Sequence, residues 1–380
     1  MLRFALLVGA TLATLLMLAS VAGAGVTNPN ISILGQPFAR WTDAEGDPAS
    51  RRVGLDPGET EIVFDDYLNP YARGFFTVAL GEEGAEVEEG FFTLLRGLPA
   101  DLVLKGGKYR VGFGRLNPVH AHAYPFSERF GVLSAYLPGE EAFNETGLQL
   151  SERLPVPGNW AITASADWLH GHSFRIPRES SGDPSDPIET GEGDREDEPR
   201  PGVLGRLVAF APLGERSGLE LGLSAVQGTN NVAAGSRTTV IGADAKLKVW
   251  TSANAYLVVQ GEVLSLDRED AAWDPAAAAY TTSSVKPTGG YLYADYDFNL
   301  RYNVGASYER FQQPTSDETT DQAFGLFAGL ALLEESTAFR IDWKHFMPGT
   351  SPAAADDPPA VNTVTLRVIY SMGPHKAHQF

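Results

Sequence analysis

Along most of this chain apolar and polar residues alternate one for one. In GYLYADYDFNL, Leu292, Ala294, Tyr296 and Phe298 share one parity, and Tyr293, Asp295, Asp297 and Asn299 share the other. NWAITASADWL sets Ile162, Ala164, Ala166 and Trp168 against Thr163, Ser165 and Asp167. The pattern recurs with Ala243, Ala245, Leu247 and Val249 against Asp244, Lys246 and Lys248. It recurs again with Phe339, Ile341 and Trp343 against Arg340, Asp342 and Lys344, and in the closing run Val364–Tyr370. Period two puts each set on its own face of a strand, so the pattern predicts strands and almost no helix.

Alternation fits either a soluble sandwich with the apolar row inside or a membrane barrel with that row facing lipid. Three features favour the membrane. The segments run about ten residues, the span a tilted strand needs. Aromatic residues recur near their ends, and the polar rows carry charges of both signs, which a dry core would hold only at large desolvation cost. The spacing predicts strands near 31–42, 58–67, 73–82, 86–96, 101–114, 147–154, 159–171, 202–213, 218–229, 237–250, 254–267, 288–299, 301–312, 321–333, 337–347 and 360–373. That makes an all-β, antiparallel up-and-down transmembrane barrel of about 16 strands, within a range of 14–18, without a plug domain. Pro37 interrupts the first strand. Short connections such as GLPA, PVPG and GERSG alternate with long ones near 115–146, 172–201 and 268–287. With both termini periplasmic, all the long ones fall outside.

The ends of the chain support export. MLRFALLVGATLATLLMLASVAGAG has a cationic start, a short apolar run and a small-residue pattern at Ala22-Gly23-Ala24. It reads as a secretory signal over residues 1–24, leaving 25–380 as one barrel domain. The formal charge of −19 gives nucleic acid no basic footprint. The absence of Cys removes disulfides and a lipoprotein anchor.

Some stretches also carry a family resemblance. YRVGFGRLNPVHAHAYPFSERF, NPNISILGQPFARW, EVEEGFFTLLRGLP and GPHKAHQF resemble a porin-like family of Gram-negative bacteria. Its members are similar in architecture to the phosphate-selective porins O and P, and many carry the label of zinc-regulated TonB-dependent outer-membrane receptor. The match covers about residues 28–130 and the last 15. A TonB-dependent transporter has a plug inside about 22 strands, and strands and loops leave no residues here for one. The resemblance therefore implies a bacterial outer-membrane barrel without energy coupling, a homotrimer, and a hint of zinc.

Candidate chemistry follows the rows. The inward row gives Lys108, Arg110, Lys246, Lys248, Asp295, Asp297, Arg340, Asp342, Lys344 and Arg367 as pore-lining residues, along with Glu61, Glu89, Asp167, Glu262 and Glu309. Their signs nearly balance, unlike the basic ladder an anion filter needs. His120 and His122, and His170 and His172, form two His-x-His pairs on the outer side. Such pairs suit Zn²⁺ or another divalent cation. No other cofactor is expected. Loop 115–146 holds Tyr124, Phe126, Phe130, Tyr136 and Leu137, and lies either in the lumen as a constriction or over the rim as a lid. Tyr370 and the terminal Phe380 resemble the assembly signal that such barrels present to the barrel-assembly machinery after chaperone-guided export. Lipid and lipopolysaccharide are the expected surroundings.

No HExxH, G-x-S-x-G, Walker loop or Cys nucleophile occurs, so an enzyme is not expected. The expected function is passive or weakly selective diffusion of small solutes or ions, with assisted uptake of zinc or another divalent metal as an extension. The alternatives are a non-conducting barrel that displays loops to a ligand or partner, and a TonB-dependent receptor-like protein lacking a plug.

Overall fold

Alternating rows give strands, and the strands close on themselves. The computed structural model describes residues 29–48, 50–81, 84–139, 142–175, 199–274, 276–332, 336–350 and 358–374. Among them lie nineteen strand segments in one antiparallel sheet. They are β1 (Asn30–Gly35), β2 (Phe38–Thr42), β3 (Val53–Asp56), β4 (Thr60–Asn69), β5 (Ala72–Gly81), β6 (Gly84–Leu94), β7 (Val103–Arg110), β8 (Asn144–Leu154), β9 (Ala161–Leu169) and β10 (Gly202–Leu213). Then come β11 (Ser217–Asn231), β12 (Ser236–Ser252), β13 (Ala255–Asp274), β14 (Ala279–Val285), β15 (Thr288–Phe298), β16 (Tyr302–Gln313), β17 (Ser316–Leu332), β18 (Thr337–Met347) and β19 (Val361–Met372).

Three staves are each built from two segments, β1–β2, β3–β4 and β14–β15, so the barrel has sixteen staves. It closes where β1 and β2 pair with β19, through Ile33↔Met372 and Leu366↔Ala39. Both breaks in the first two staves come from proline, which cannot donate to a ladder. Gln36-Pro37 separates β1 from β2, and Pro57-Gly58 lies opposite it. A Cβ on Gly58, whose φ is +62°, would collide with the Gln36 carbonyl. At the closing seam Gly35 pairs with Tyr370, and the tyrosine ring covers the glycine.

The polarity is inverted relative to a soluble core. Trp168 and Val263 are 65% and 62% exposed on the outer face, with Leu223, Ile241, Leu292, Leu326, Ile341 and Leu366 in the same belt. Glu61, Asp167, Asp244, Glu262, Asp295, Glu309 and Arg340 are buried on the inner face. Tyr71, Trp160, Phe298 and Tyr302 stand exposed near the short-turn end, with the Phe298 and Tyr302 rings stacked 5.5 Å apart. Apolar surface displayed in this way is stable only against lipid. The expected membrane barrel is the observed fold. No described helix is long and apolar enough to cross a membrane, and none is long enough to act as a plug.

One predicted loop is not a loop. Residues 268–287 form most of a hairpin: β13 runs on to Asp274 and pairs with β14 through Arg268↔Val285 to Asp274↔Ala279. Its tip is built by Asp274, whose side chain accepts from the Ala276 and Ala277 amides at 2.8 and 3.2 Å. Loop 172–201 falls largely outside the described residues, as do the signal segment 1–24 and Phe380.

Candidate functional site: the infolded loop and its anchors

The connection between β7 and β8, residues 111–143, turns into the lumen. Its neck is fixed by Asn117, which is fully buried. The Asn117 amide donates to the Val111 and Phe143 carbonyls at 2.7 and 3.0 Å, and its oxygen accepts from the Phe143 amide at 3.0 Å and Arg129 at 2.8 Å. Beyond the neck the loop crosses between opposite walls. A short helix, α1 (Gly131–Tyr136), packs on β13, β15 and β16.

Wall carboxylates hold the loop by its backbone. Glu262 of β13 accepts from the Arg115 and Leu116 amides at 2.7 and 2.8 Å, and from the Tyr291 hydroxyl at 2.7 Å. Asp342 of β18 accepts from the Ser127 amide at 3.1 Å. Glu309 of β16 accepts from the Val132 amide at 3.3 Å. Arg340 donates to the His122 carbonyl at 2.7 Å. Charge-assisted bonds of this kind are stronger than neutral ones, and burial raises the cost of leaving either partner alone. Aromatic packing fills the space between: Phe130 stacks on Tyr291 at 4.0 Å, and Phe126 meets Phe130, Tyr293 and Phe327. The loop is therefore an infolded constriction, not a lid over the rim.

On the opposite wall the loop brings His120 and His122 to Glu61 of β4 and to Glu88 and Glu89 of β6. His122 Nδ1 lies 3.0 Å from Glu61 Oε1. His120 Nδ1 lies 3.3 Å from Glu61 Oε2 and 3.4 Å from Glu88 Oε2, and its Nε2 lies 2.7 Å from Glu89 Oε2. Both glutamates of β6 face inward because a register shift lets Thr77 pair with Glu89 and Val78 with Val87, leaving Glu88 as the extra residue of a bulge. Arg110 pairs with the other Glu88 oxygen and donates to the Val119 carbonyl at 3.2 Å. Burial disfavours the His120 imidazolium, but the surrounding carboxylates of Glu61, Glu88 and Glu89 outweigh it and hold its pKa well above the usual range.

The structure distributes the other sequence candidates in three ways. Lys246, Lys248, Asp295 and Asp297 line one cavity of about 460 Å³ with Arg115 and Glu220, between the infolded loop and the short-turn end. Arg340, Asp342 and Lys344 face inward and serve the loop; Lys344 lies 3.2 Å from Glu309. Arg367, also inward, reaches Gln36 at 3.4 Å. Lys108 departs from the expected row. It stands on the face opposite buried Tyr109 and bonds Glu86 and the Val87 carbonyl at 3.0 and 2.8 Å. Lys105 is the inward cation of β7, over the Phe91 and Tyr109 rings. Lys105, Gly107 and Tyr109 share the inward parity with no register shift, so Lys108 falls on the other face, and Arg110 reaches Glu88 and Val119 only where the strand ends and the loop turns in.

His170 and His172 are exposed at the end of β9 and in the turn after it, and the described cluster of potential metal ligands comprises Glu61, His120 and His122 without them. Sequence reasoning placed Glu61 on the inward row but not beside the histidines. The signal was available only as shared height on the wall, since Glu61 is 61 residues away from His122.

Sixteen antiparallel staves, a polar interior and a loop folded into the lumen define a porin-like barrel. Solved structures agree in fold. An anion-selective porin from Comamonas acidovorans superposes with a TM-score of 0.59 at 11% identity, covering 90% of this chain and 98% of that one. OprB of Pseudomonas putida gives 0.55 at 10% identity, covering 90% and 94%. The outer-membrane channel DcaP of Acinetobacter baumannii gives 0.54 at 9% identity, covering 90% and 96%. No family model matches. An uncharacterized protein of Aquifex aeolicus (strain VF5) is 29% identical over 272 residues, covering 68% of this chain. The match spans 55% of that relative's length.

Proposed function

We propose that this protein is a channel of the bacterial outer membrane that passes small solutes and ions by diffusion, without enzymatic activity. The observation that carries this reading is the infolded loop. It narrows a lumen whose wall below it carries Lys246 and Lys248 facing Asp295 and Asp297. Charges of both signs around one aqueous space favour weak selectivity over a dedicated anion filter. The long-loop end is assigned to the outside, among lipopolysaccharide, and the short-turn end to the periplasm. Assembly through the outer-membrane barrel machinery with chaperone help, kinship with the phosphate-selective porins, and a homotrimer belong to the same proposal.

The buried aromatic packing around Phe126, Phe130 and Tyr291 gives one observation in favour of the second reading, a barrel too tightly filled to conduct. Planar-bilayer recording of purified protein separates the two. Discrete single-channel steps are expected, and silence from protein shown to be folded by its heat-modifiable gel migration would refute the channel. Assisted zinc uptake needs a route as well as a ligand set. Its check is zinc flux into protein-loaded vesicles, expected to rise above empty vesicles.

A further inference from the structure

Three buried polar atoms without a well-aligned hydrogen bond point at one another: His120 Nδ1 lies 3.3 and 3.4 Å from Glu61 Oε2 and Glu88 Oε2, and one proton on it cannot satisfy both carboxylates. The Glu61 side chain is only 2% exposed. His122 Nδ1 lies beside them, and with Glu61 and His120 it completes a set of ligand atoms all within 4.8 Å of one another. Native proteins rarely bury such atoms unpaired, because each one costs about 1–3 kcal/mol. Their convergence asks for an occupant.

We propose that a divalent cation of the zinc class sits between His120, His122 and Glu61, with Glu88 as the fourth ligand, and clamps the infolded loop to the barrel wall. Three observations carry this assignment. The first is spacing. Donors about 2.0–2.1 Å from a tetrahedral zinc lie about 3.3 Å apart; His120 Nδ1 lies 3.3 and 3.4 Å from Glu61 Oε2 and Glu88 Oε2, and His122 Nδ1 lies 3.0 Å from the other Glu61 oxygen. The second is orientation. His120 Nε2 is engaged with Glu89, which presents Nδ1 inward as the free donor; a carboxylate behind a ligating histidine is the usual support in zinc sites. The third is charge. Glu61, Glu88 and Glu89 bring three negative charges, and among the described residues Arg110 and the His120 imidazolium are in ion-pair contact with them. A dication that displaces the His120 proton brings the group, with Arg110, to neutrality.

Imidazole and carboxylate donors suit zinc and its neighbours, whereas calcium and magnesium prefer all-oxygen shells. The clamp would fix the loop on the side opposite Glu262, Glu309 and Asp342, where the two histidines meet the β4–β6 wall and Arg110 of β7 bridges Glu88 and the Val119 carbonyl.

This site does not depend on conduction, and its test reads metal directly. Wild-type protein in detergent, stripped with chelator and dialysed, is titrated with Zn²⁺ in competition with a chromogenic chelator. About one equivalent per chain is expected. His120→Ala with Glu61→Gln should take none, and His170→Ala with His172→Ala should still take one. Because the first variant could misassemble, Glu89→Gln serves as a second. It keeps the side chain's shape and one of its two acceptor contacts, and should weaken zinc about 10–100-fold. Folded wild type that takes no zinc overturns the proposal, as does a His120→Ala/Glu61→Gln chain that binds as tightly as wild type. Both outcomes mean that protons alone fill the cluster. A chain that conducts without zinc loses the clamp and keeps the channel, while one that binds zinc in silence does the reverse.

Discussion

Asn117 concentrates four hydrogen bonds in one buried side chain, and every partner belongs to the neck of the infolded loop or to Arg129 inside it. Replacing it with Ala takes the side-chain acceptor from the Phe143 amide and one contact each from Arg129 and the Val111 and Phe143 carbonyls, which keep the Phe113 and Val111 amides. A buried amide left without an acceptor costs about 1–3 kcal/mol, and each lost bond to a group that keeps another partner costs about 0.5–1.5 kcal/mol. Partial relaxation of the neck keeps the expected total for Asn117→Ala near 2–4 kcal/mol. The loss should appear as earlier protease cleavage within 111–143, at protein concentrations where the barrel itself resists. Asn117→Asp keeps the acceptor and loses the donor, so it should fall between. Equal protease resistance in all three proteins would show that the neck is held elsewhere. At this scale the sequence was least informative. The residue types in NPVHAHAYPFSERF were legible as unusual, but their partners Glu61, Glu262, Glu309 and Asp342 are scattered along the chain and come together only when the barrel closes.

Strands were legible for a physical reason: each stave faces lipid on one side and the lumen on the other, so period two is imposed along its whole length. The sixteen predicted segments all correspond to staves, and Pro37 divides the first as expected. The error at 268–287 has a cause as well. REDAAWDPAAAAY is charged and Ala-rich, with weak strand propensity. It becomes a hairpin because β13 is already a strand below it, and Trp273 packs edge-on against Tyr280 at 5.1 Å. At 20 residues β13 is about twice the length needed to span a bilayer, so the hairpin should stand clear of the membrane. Excising residues 269–284 and joining the ends with a two-residue turn removes no pairing among the sixteen staves below it. The shortened protein is expected to insert at normal levels and keep its heat-modifiable migration. Failure to insert would mean that the hairpin nucleates the β13–β15 wall during assembly.

For the whole molecule the net charge of −19 and the nearly balanced lumen describe different places. The barrel interior neutralises itself in local groups: Arg206 with Asp244, Arg115 with Glu220, Lys344 with Glu309. What reaches a passing solute is then decided by how much cross-section the infolded loop leaves, and by the cavity wall where Lys246 and Lys248 face Asp295 and Asp297. These two controls can be separated. Replacing residues 118–139 with a short Gly-Ser linker removes the constriction, while Val111 and Phe143 still pair at the neck. It also removes the loop partners of Glu61, Asp342 and Glu309, which turns these carboxylates toward the lumen with Gln36 still on Glu61 and Lys344 still beside Glu309. Single-channel current should rise, and selectivity should move toward cations, because rings of exposed carboxylates favour them. Lys246→Glu with Lys248→Glu in the intact protein should move selectivity in the same direction with little change in current. Reversal potentials under a salt gradient, read beside the current itself, distinguish the outcomes. An excised protein with unchanged current would place the limiting aperture below the loop, at the cavity wall, and the lysine variant would then be the one to change both quantities.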